Sequence, residues 1–171
     1  GTLCHEFSHV LGLPDYYDTN YSTNYKSGYT PNEWSLMDAG SYNNDGITPP
    51  NWAVHDKFYV GWYTPTIMNE AENVTLPADG KTYRQVTSSG QQATATTTGD
   101  VYYFENRQQT GWDEYLPGHG LVVWKVNYSE SVWNNNAPNN TARSPRCTVV
   151  SASGAKTNIG LCAGSYSRSE E

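Results

Sequence analysis

From Cys4 to Asp18 the chain reads CHEFSHVLGLPDYYD, and no other stretch constrains the fold as tightly. Residues 2 to 11 have helical spacing. At about 100° per residue, Leu3, Phe7, Val10 and Leu11 gather on one side of such a helix. His5 and His9 fall on the opposite side, and Glu6 lies between the two faces. Gly12 can take a positive φ and stop the helix, and Pro14 prevents its resumption. The spacing therefore predicts a helix that turns an apolar face to a core and its histidines to a site.

Imidazoles at i and i+4 stand about 6 Å apart on a helix, a separation that suits two ligands of one tetrahedral cation. Imidazole donors favour zinc among the common catalytic metals. Glu6 reaches a metal-bound water more easily than the metal itself, which is where a general base is needed. The turn at Gly12 brings the residue three positions later back beneath the metal. That residue is Asp15, whose oxygen would complete a His-His-carboxylate set. The same aspartate also reads as a turn residue capping local N–H groups, and Glu33, Glu70 and Glu72 are rival third ligands. The segment NEAEN, residues 69 to 73, looks like the source of a downstream-helix ligand. It lies 60 residues past His9, follows Pro65 and runs into strand-like text, so it is set aside.

Residues 15 to 48 lack periodicity and read as an ordered functional loop. TPPNWAVHDKFYVGW then reads as a second helix. Thr48 is its expected N-cap, prolines fill its first turn, and Val54, Phe58 and Trp62 share a face. From about residue 67 the text becomes short β-type runs divided by Gly, Asn and Pro. The expectation is an α+β chain, with residues 1–66 carrying the helices and residues 67–171 forming a β-rich unit with a polar tail, SYSRSEE. QQATATTTGD reads as a linker or hairpin tip.

A net charge of −7, with 17 acidic against 10 basic residues, argues against a nucleic-acid surface. No apolar run is long enough to span a bilayer. Fourteen Tyr, six Trp and three Phe, with only 16% charged residues, suit a β-rich secreted protein. In an oxidising compartment Cys147 and Cys162 can pair, leaving Cys4 over. Asp15, Asp18, Asp38 and Asp45 form a carboxylate-rich loop system able to hold a structural Ca2+. His55 and His119 read as structural. Glycosylation sequons occur at Asn20, Asn73, Asn127 and Asn139.

The pattern HExxHxxGxxD, followed by Met37 in WSLMDAGSY, resembles the metzincin metallopeptidases. More narrowly, the text from HEFSHVLGLPDYYD through EWSLMDAGSYN to KFYVGW resembles the immune inhibitor A family of secreted bacterial metallopeptidases, as does FENRQQTGWDEYLPGHGLVVW. The resemblance implies His5, His9 and Asp15 as ligands of one catalytic Zn2+, Glu6 as general base and Met37 as the floor under the metal. Tyr42 is the tyrosine that would stabilise the oxyanion. The fold implied for residues 1–66 is the lower subdomain of a metzincin-like catalytic domain, acting on protein or peptide substrates outside the cell. Such domains carry an upper subdomain ahead of the zinc helix, and here three residues precede Cys4. The expectation is therefore a fragment or a truncated chain with weak or absent peptidase activity by itself, for which a missing N-terminal subdomain or propeptide is a candidate cleft partner. An alternative from a different class is an inactive protease remnant carrying a protein- or glycan-binding β module. A non-peptidase zinc hydrolase is a third.

Overall fold

In the computed structural model, which describes residues 1–21, 30–68, 73–78, 83–87, 93–141, 144–151 and 165–166, the first element is helix α1, Thr2–Val10. It ends as the glycine predicts. Gly12 has φ +93°, its N–H donates to His9 O, and the Leu13 N–H donates to Ser8 O. These two bonds form a Schellman motif, which satisfies the last carbonyls of the helix and reverses the chain.

The burial of α1 differs from the expectation. Leu3, Phe7 and Val10 are 81%, 56% and 76% exposed, and the buried positions are His5 and Ser8. Periodicity assigns residues to a common face but does not say which face is covered. Here the covered face is the polar one. Trp52 Nε1 donates to Ser8 Oγ (2.9 Å), and His5 is bound to the backbone at Leu36.

Between Pro31 and Gly46 the chain makes short 3-10 turns, Asn32–Trp34 and Ala39–Gly46, the latter kinked where Asn44 and Asp45 adopt positive φ. Between them, Ser35 to Asp38 form a tight turn closed by Asp38 N–H to Ser35 O (3.1 Å). Gly40 packs against this turn so closely that an added Cβ would sit 2.4 Å from Ser35 O.

Helix α2 covers Val54–Tyr59, which corrects the second-helix expectation. Thr48 is not its N-cap, and Pro49 and Pro50 lie ahead of it. A residue followed by proline is steered away from helical ψ, so two consecutive prolines delay the start. The cap is Ala53, whose N–H donates to Asp56 Oδ2 (3.2 Å). Trp62 falls beyond the helix and makes an edge contact with Trp52 at 4.6 Å.

The rest is a mixed sheet beside a short helix, α3 (Glu130–Asn134). The sheet contains β1 (Thr66–Ile67), β2 (Tyr83–Thr87), β3 (Asp100–Arg107), β4 (Gly120–Asn127), β5 (Cys147–Val149) and β6 (Ser165–Tyr166). Strands β1 to β5 are adjacent in chain order. β1 pairs with β2 in parallel, and the other pairs are antiparallel. β6 lies against Leu121 and Val122 of β4, so the first residues of the expected polar tail belong to the sheet. The β3–β4 ladder runs eight residues, from Asp100 opposite Asn127 to Arg107 opposite Gly120.

Alternation along β3 buries Val101, Tyr103, Glu105 and Arg107, and β4 buries Val122, Trp124 and Val126. These side chains join one core cluster with Leu13, Tyr16, Trp34, Leu36, Met37, Ala53 and Val54. The α+β class is as expected. One hydrophobic core draws on residues from both sides of residue 67.

Within that core lie two polar groups that periodicity does not reveal. Arg107 binds Asp113 through Nε and Nη2 (2.8 and 2.6 Å) and Glu105 through Nη1 (3.0 Å), and Trp124 Nε1 donates to the same Glu105 oxygen. Cys147 is a free buried thiol with Sγ 3.3 Å from His55 Nε2, and burial pushes that thiol up. His55 Nε2 is 3.1 Å from Asp56 Oδ1, the oxygen that also accepts the Tyr16 hydroxyl. The expected partner of Cys147, Cys162, lies outside the described residues, as do Glu70 and Glu72.

Candidate metal centre

His5 and His9 face one another from consecutive turns of α1, with ring centroids 4.9 Å apart. His5 Nδ1 lies 2.8 Å from Leu36 O, and His9 Nδ1 lies 2.7 Å from Leu13 O. A carbonyl oxygen only accepts, so both Nδ1 atoms carry a proton, and in its neutral form each ring presents a lone pair at Nε2. Two turns already described supply these carbonyls. The Schellman turn returns Leu13 beneath His9, and the turn carrying Met37 presents Leu36 to His5. Met37 itself is fully buried, and its carbonyl accepts the Tyr16 N–H.

Asp15 completes the group. Its Oδ1 is 3.0 Å from His5 Nε2 and 3.3 Å from His9 Nε2. That oxygen is buried and, while both imidazoles are unprotonated at Nε2, accepts no hydrogen bond. Two nitrogen lone pairs and a carboxylate oxygen thus converge on one point, an arrangement that only a shared proton or a cation stabilises. The three donor atoms lie within 4.8 Å of one another. Among the described residues, no other group of three His, Cys, Asp or Glu side chains comes this close. The donor set fits a metal ion: two imidazoles and one carboxylate, each oriented by a further hydrogen bond.

Without a cation the group shares protons. The hydrogen bond to Asp15 draws the His5 pKa above its ordinary value, against burial, with help from the Leu36 carbonyl. Burial alone would raise the Asp15 carboxyl, but hydrogen bonds from His5, Asn136 and Tyr17 hold it below the usual range. Metal binding must displace those protons.

Beside the histidines opens a cleft of about 300 Å³ lined by His5, Glu6, Tyr17, Tyr21, Asp38, Ala39, Ser41 and Tyr42. Glu6 is exposed on α1, and Tyr42 is 73% exposed on the facing 3-10 turn. Of the five site residues singled out in the sequence, His5, His9 and Asp15 form the convergent triplet, while Glu6 and Tyr42 line the cleft beside His5. Glu33 is not part of the group. Asp18 accepts the Asn20 N–H, while Asp38 binds the N–H groups of Asn32 and Ala39, so these carboxylates satisfy loop backbone. His119 is exposed just ahead of β4.

Sequence reasoning passed over Tyr17 and the asparagine-rich stretch WNNNAPNN. Asn136, Asn139 and Asn140 all bond to residues 15–19. Their only sequence signal is a density of residues that tolerate left-handed turns, which does not name a partner.

Residues 1–61 match the family model described as immune inhibitor A peptidase M6, catalytic domain. The match covers the triplet, Glu6, the Met37 turn and α2. A protein of Arthroderma benhamiae, provisionally named a secreted metallopeptidase, is 29% identical over 102 residues. That alignment takes in 52% of this chain and 15% of the relative, so the chain spans only a small part of the relative's length. No solved structure matches. The immune inhibitor A match includes all three residues of the triplet, whose donor atoms could hold a metal ion. No helix of the described residues is long and apolar enough to cross a membrane.

Proposed function

We propose that this chain is part of a secreted zinc-dependent endopeptidase, with His5, His9 and Asp15 as the zinc ligands and Glu6 as general base. The observation that carries this reading is the convergence of two Nε2 lone pairs and a buried, undonated Asp15 Oδ1, with each Nδ1 tied to a carbonyl. On this reading residues 1–66 are the lower half of a metzincin-like catalytic domain: zinc helix, methionine turn and second helix, followed by the β-rich unit of residues 67–171.

When bound, the ion supplies Lewis acidity, which lowers the pKa of water and polarises a carbonyl. The chain's own residues do the rest. Leu36 O and Leu13 O hold the two imidazoles in the tautomer that exposes Nε2 to the site. Glu6, adjacent to His5 on α1, takes the proton of the attacking water on its carboxylate and returns it to the departing amine. Tyr42, across the cleft, donates its phenolic O–H to the developing oxyanion. A peptide lies in the cleft with Tyr17 and Tyr21 along its wall.

Elemental analysis of protein purified without added metal tests the reading. One zinc per chain is expected, and His9→Ala should bind none. Glu6→Gln should keep its zinc while peptide hydrolysis, assayed in the full-length natural protein, falls by about 10²- to 10⁴-fold. A Glu6→Gln protein with undiminished hydrolysis would remove Glu6 as the base.

A further inference from the structure

We propose that Asn136 is a positioning residue of this metal centre, holding Asp15 so that a single carboxylate oxygen, Oδ1, faces the two imidazoles. The proposal rests on the reading of His5, His9 and Asp15 as ligands. It concerns a residue 121 positions further along the chain, in the part of the molecule built on the sheet.

One amide grips Asp15 twice. The Asp15 N–H donates to Asn136 Oδ1 (2.6 Å), and Asn136 Nδ2 donates to Asp15 Oδ2 (2.7 Å). The amide orientation is unambiguous, because a backbone N–H only donates and so must meet the oxygen end. Oδ2 is thereby occupied, while Oδ1 is left 3.0 and 3.3 Å from the imidazole nitrogens with no donor of its own. A carboxylate free to rotate could offer either oxygen or both. Held in this way, it offers one.

The grip is itself supported. Asn136 has φ +54°, a left-handed conformation that asparagine tolerates better than most residues. It terminates α3 through its N–H to Trp133 O (3.0 Å), and the Ala137 N–H follows to Val132 O. Trp133 is buried, with its ring 6.4 Å from Tyr16 and 5.1 Å from Tyr128. The neighbouring asparagines hold the same loop without touching the Asp15 side chain. Asn140 exchanges two hydrogen bonds with Thr19, and Asn139 binds Tyr16 O. Asn139 and Asn140 therefore only anchor the loop, whereas the Asn136 side chain bonds both the Asp15 backbone and its carboxylate, so loss of the Asn140 contacts isolates the anchoring role.

The experiment is chelator competition for Zn2+ on the intact chain, with the visible spectrum of the Co2+-loaded form as a second readout. Asn136→Gly removes the amide and keeps the left-handed turn. Asn136→Asp keeps the turn and the acceptor for the Asp15 N–H but removes the donor to Oδ2. Asn136→Gly should weaken Zn2+ binding by about 10- to 100-fold, the usual effect of losing a hydrogen-bond partner of a ligand. Both variants should change the Co2+ spectrum, and the melting temperature of metal-free Asn136→Gly should stay near the parent's. Asn140→Ala should leave affinity and spectrum close to the parent's. Parental affinity and spectrum in both Asn136 variants, with metal lost in Asp15→Ala, would overturn this inference and leave the ligand assignment intact. Equal losses in Asn140→Ala and Asn136→Gly would reduce Asn136 to a loop anchor and overturn it too. Parental affinity in Asp15→Ala would instead bring down the ligand assignment itself.

Discussion

At the scale of single residues, burial decides what each polar group can do. Asp38, on the wall of the cleft beside His5, illustrates this. Burial pushes its carboxyl up to about 6, although Thr30 and the N–H groups of Asn32 and Ala39 favour the charged form. The folded pKa lies above the unfolded value near 3.9, so between pH 4 and 6 the folded chain holds a proton that the unfolded chain has released. Asp38 therefore contributes less stability as pH rises through that window, and its contribution is constant above it. A shift of about 2 pKa units corresponds to about 3 kcal/mol. Urea unfolding of metal-free Asp38→Asn and parent across pH 4–7 checks this. The stability difference should move in favour of the variant by up to about 3 kcal/mol between pH 4 and 6 and then level off. The histidine motif was legible at this scale because its geometry is local: i to i+4 on one helix, then one glycine turn to Asp15. Asn136 was not, because nothing in eight asparagine-rich letters says which loop they grip.

At the scale of elements, two devices set the site. The first is the Schellman turn after α1. A Cβ on Gly12 would meet only the Tyr59 side chain, Cε1 at 3.5 Å and the hydroxyl oxygen at 3.9 Å, so Gly12→Ala fits sterically and its cost is the positive φ. The expected loss is about 1 kcal/mol, read by thermal unfolding, together with weaker metal binding, because Leu13 O and Asp15 both follow the turn. The second is the Arg107 cluster. Arg107 Nη2 also donates to Asn51 O, and Asp113 Oδ1 accepts the Asn51 N–H, so the cluster fixes the segment leading into α2. Arg107→Met leaves two buried carboxylates without their cation and should cost about 3–5 kcal/mol in denaturant unfolding. The strands β3 and β4 were legible from alternation. This cluster was not, because alternation gives the inward positions of Glu105 and Arg107 without supplying their partners. The apolar stripe of α1 failed for the related reason that a stripe carries no address.

At the scale of the whole molecule, the site and the sheet share a core. Leu13, Tyr16, Met37 and Val54 pack with Val101, Tyr103, Val122 and Trp124. Removing everything after residue 66 would leave these four side chains, and Asp15, without their cover. Residues 1–66 alone should show no cooperative thermal transition and no near-ultraviolet circular dichroism, whereas the full chain shows both. The chain's two halves are distinct as text, one helical and one strand-like. Their shared interior was not legible, because compositional change marks where elements change type and not where a core ends.

Asn139 bears on how this protein can be made. Its side chain is fully buried, both Nδ2 hydrogens are spent on Tyr16 O and Cys147 O, and Oδ1 accepts the N–H groups of Arg146 and Cys147. Yet it opens the sequon Asn-Asn-Thr. A host that attaches sugars to emerging chains meets this asparagine before folding hides it, and a glycan there has no room in the finished molecule. Sugar at residue 139 and a completed fold are mutually exclusive outcomes. Yeast or insect-cell secretion should therefore yield an occupied, misfolded fraction, visible by mass spectrometry, that a bacterial host would never produce.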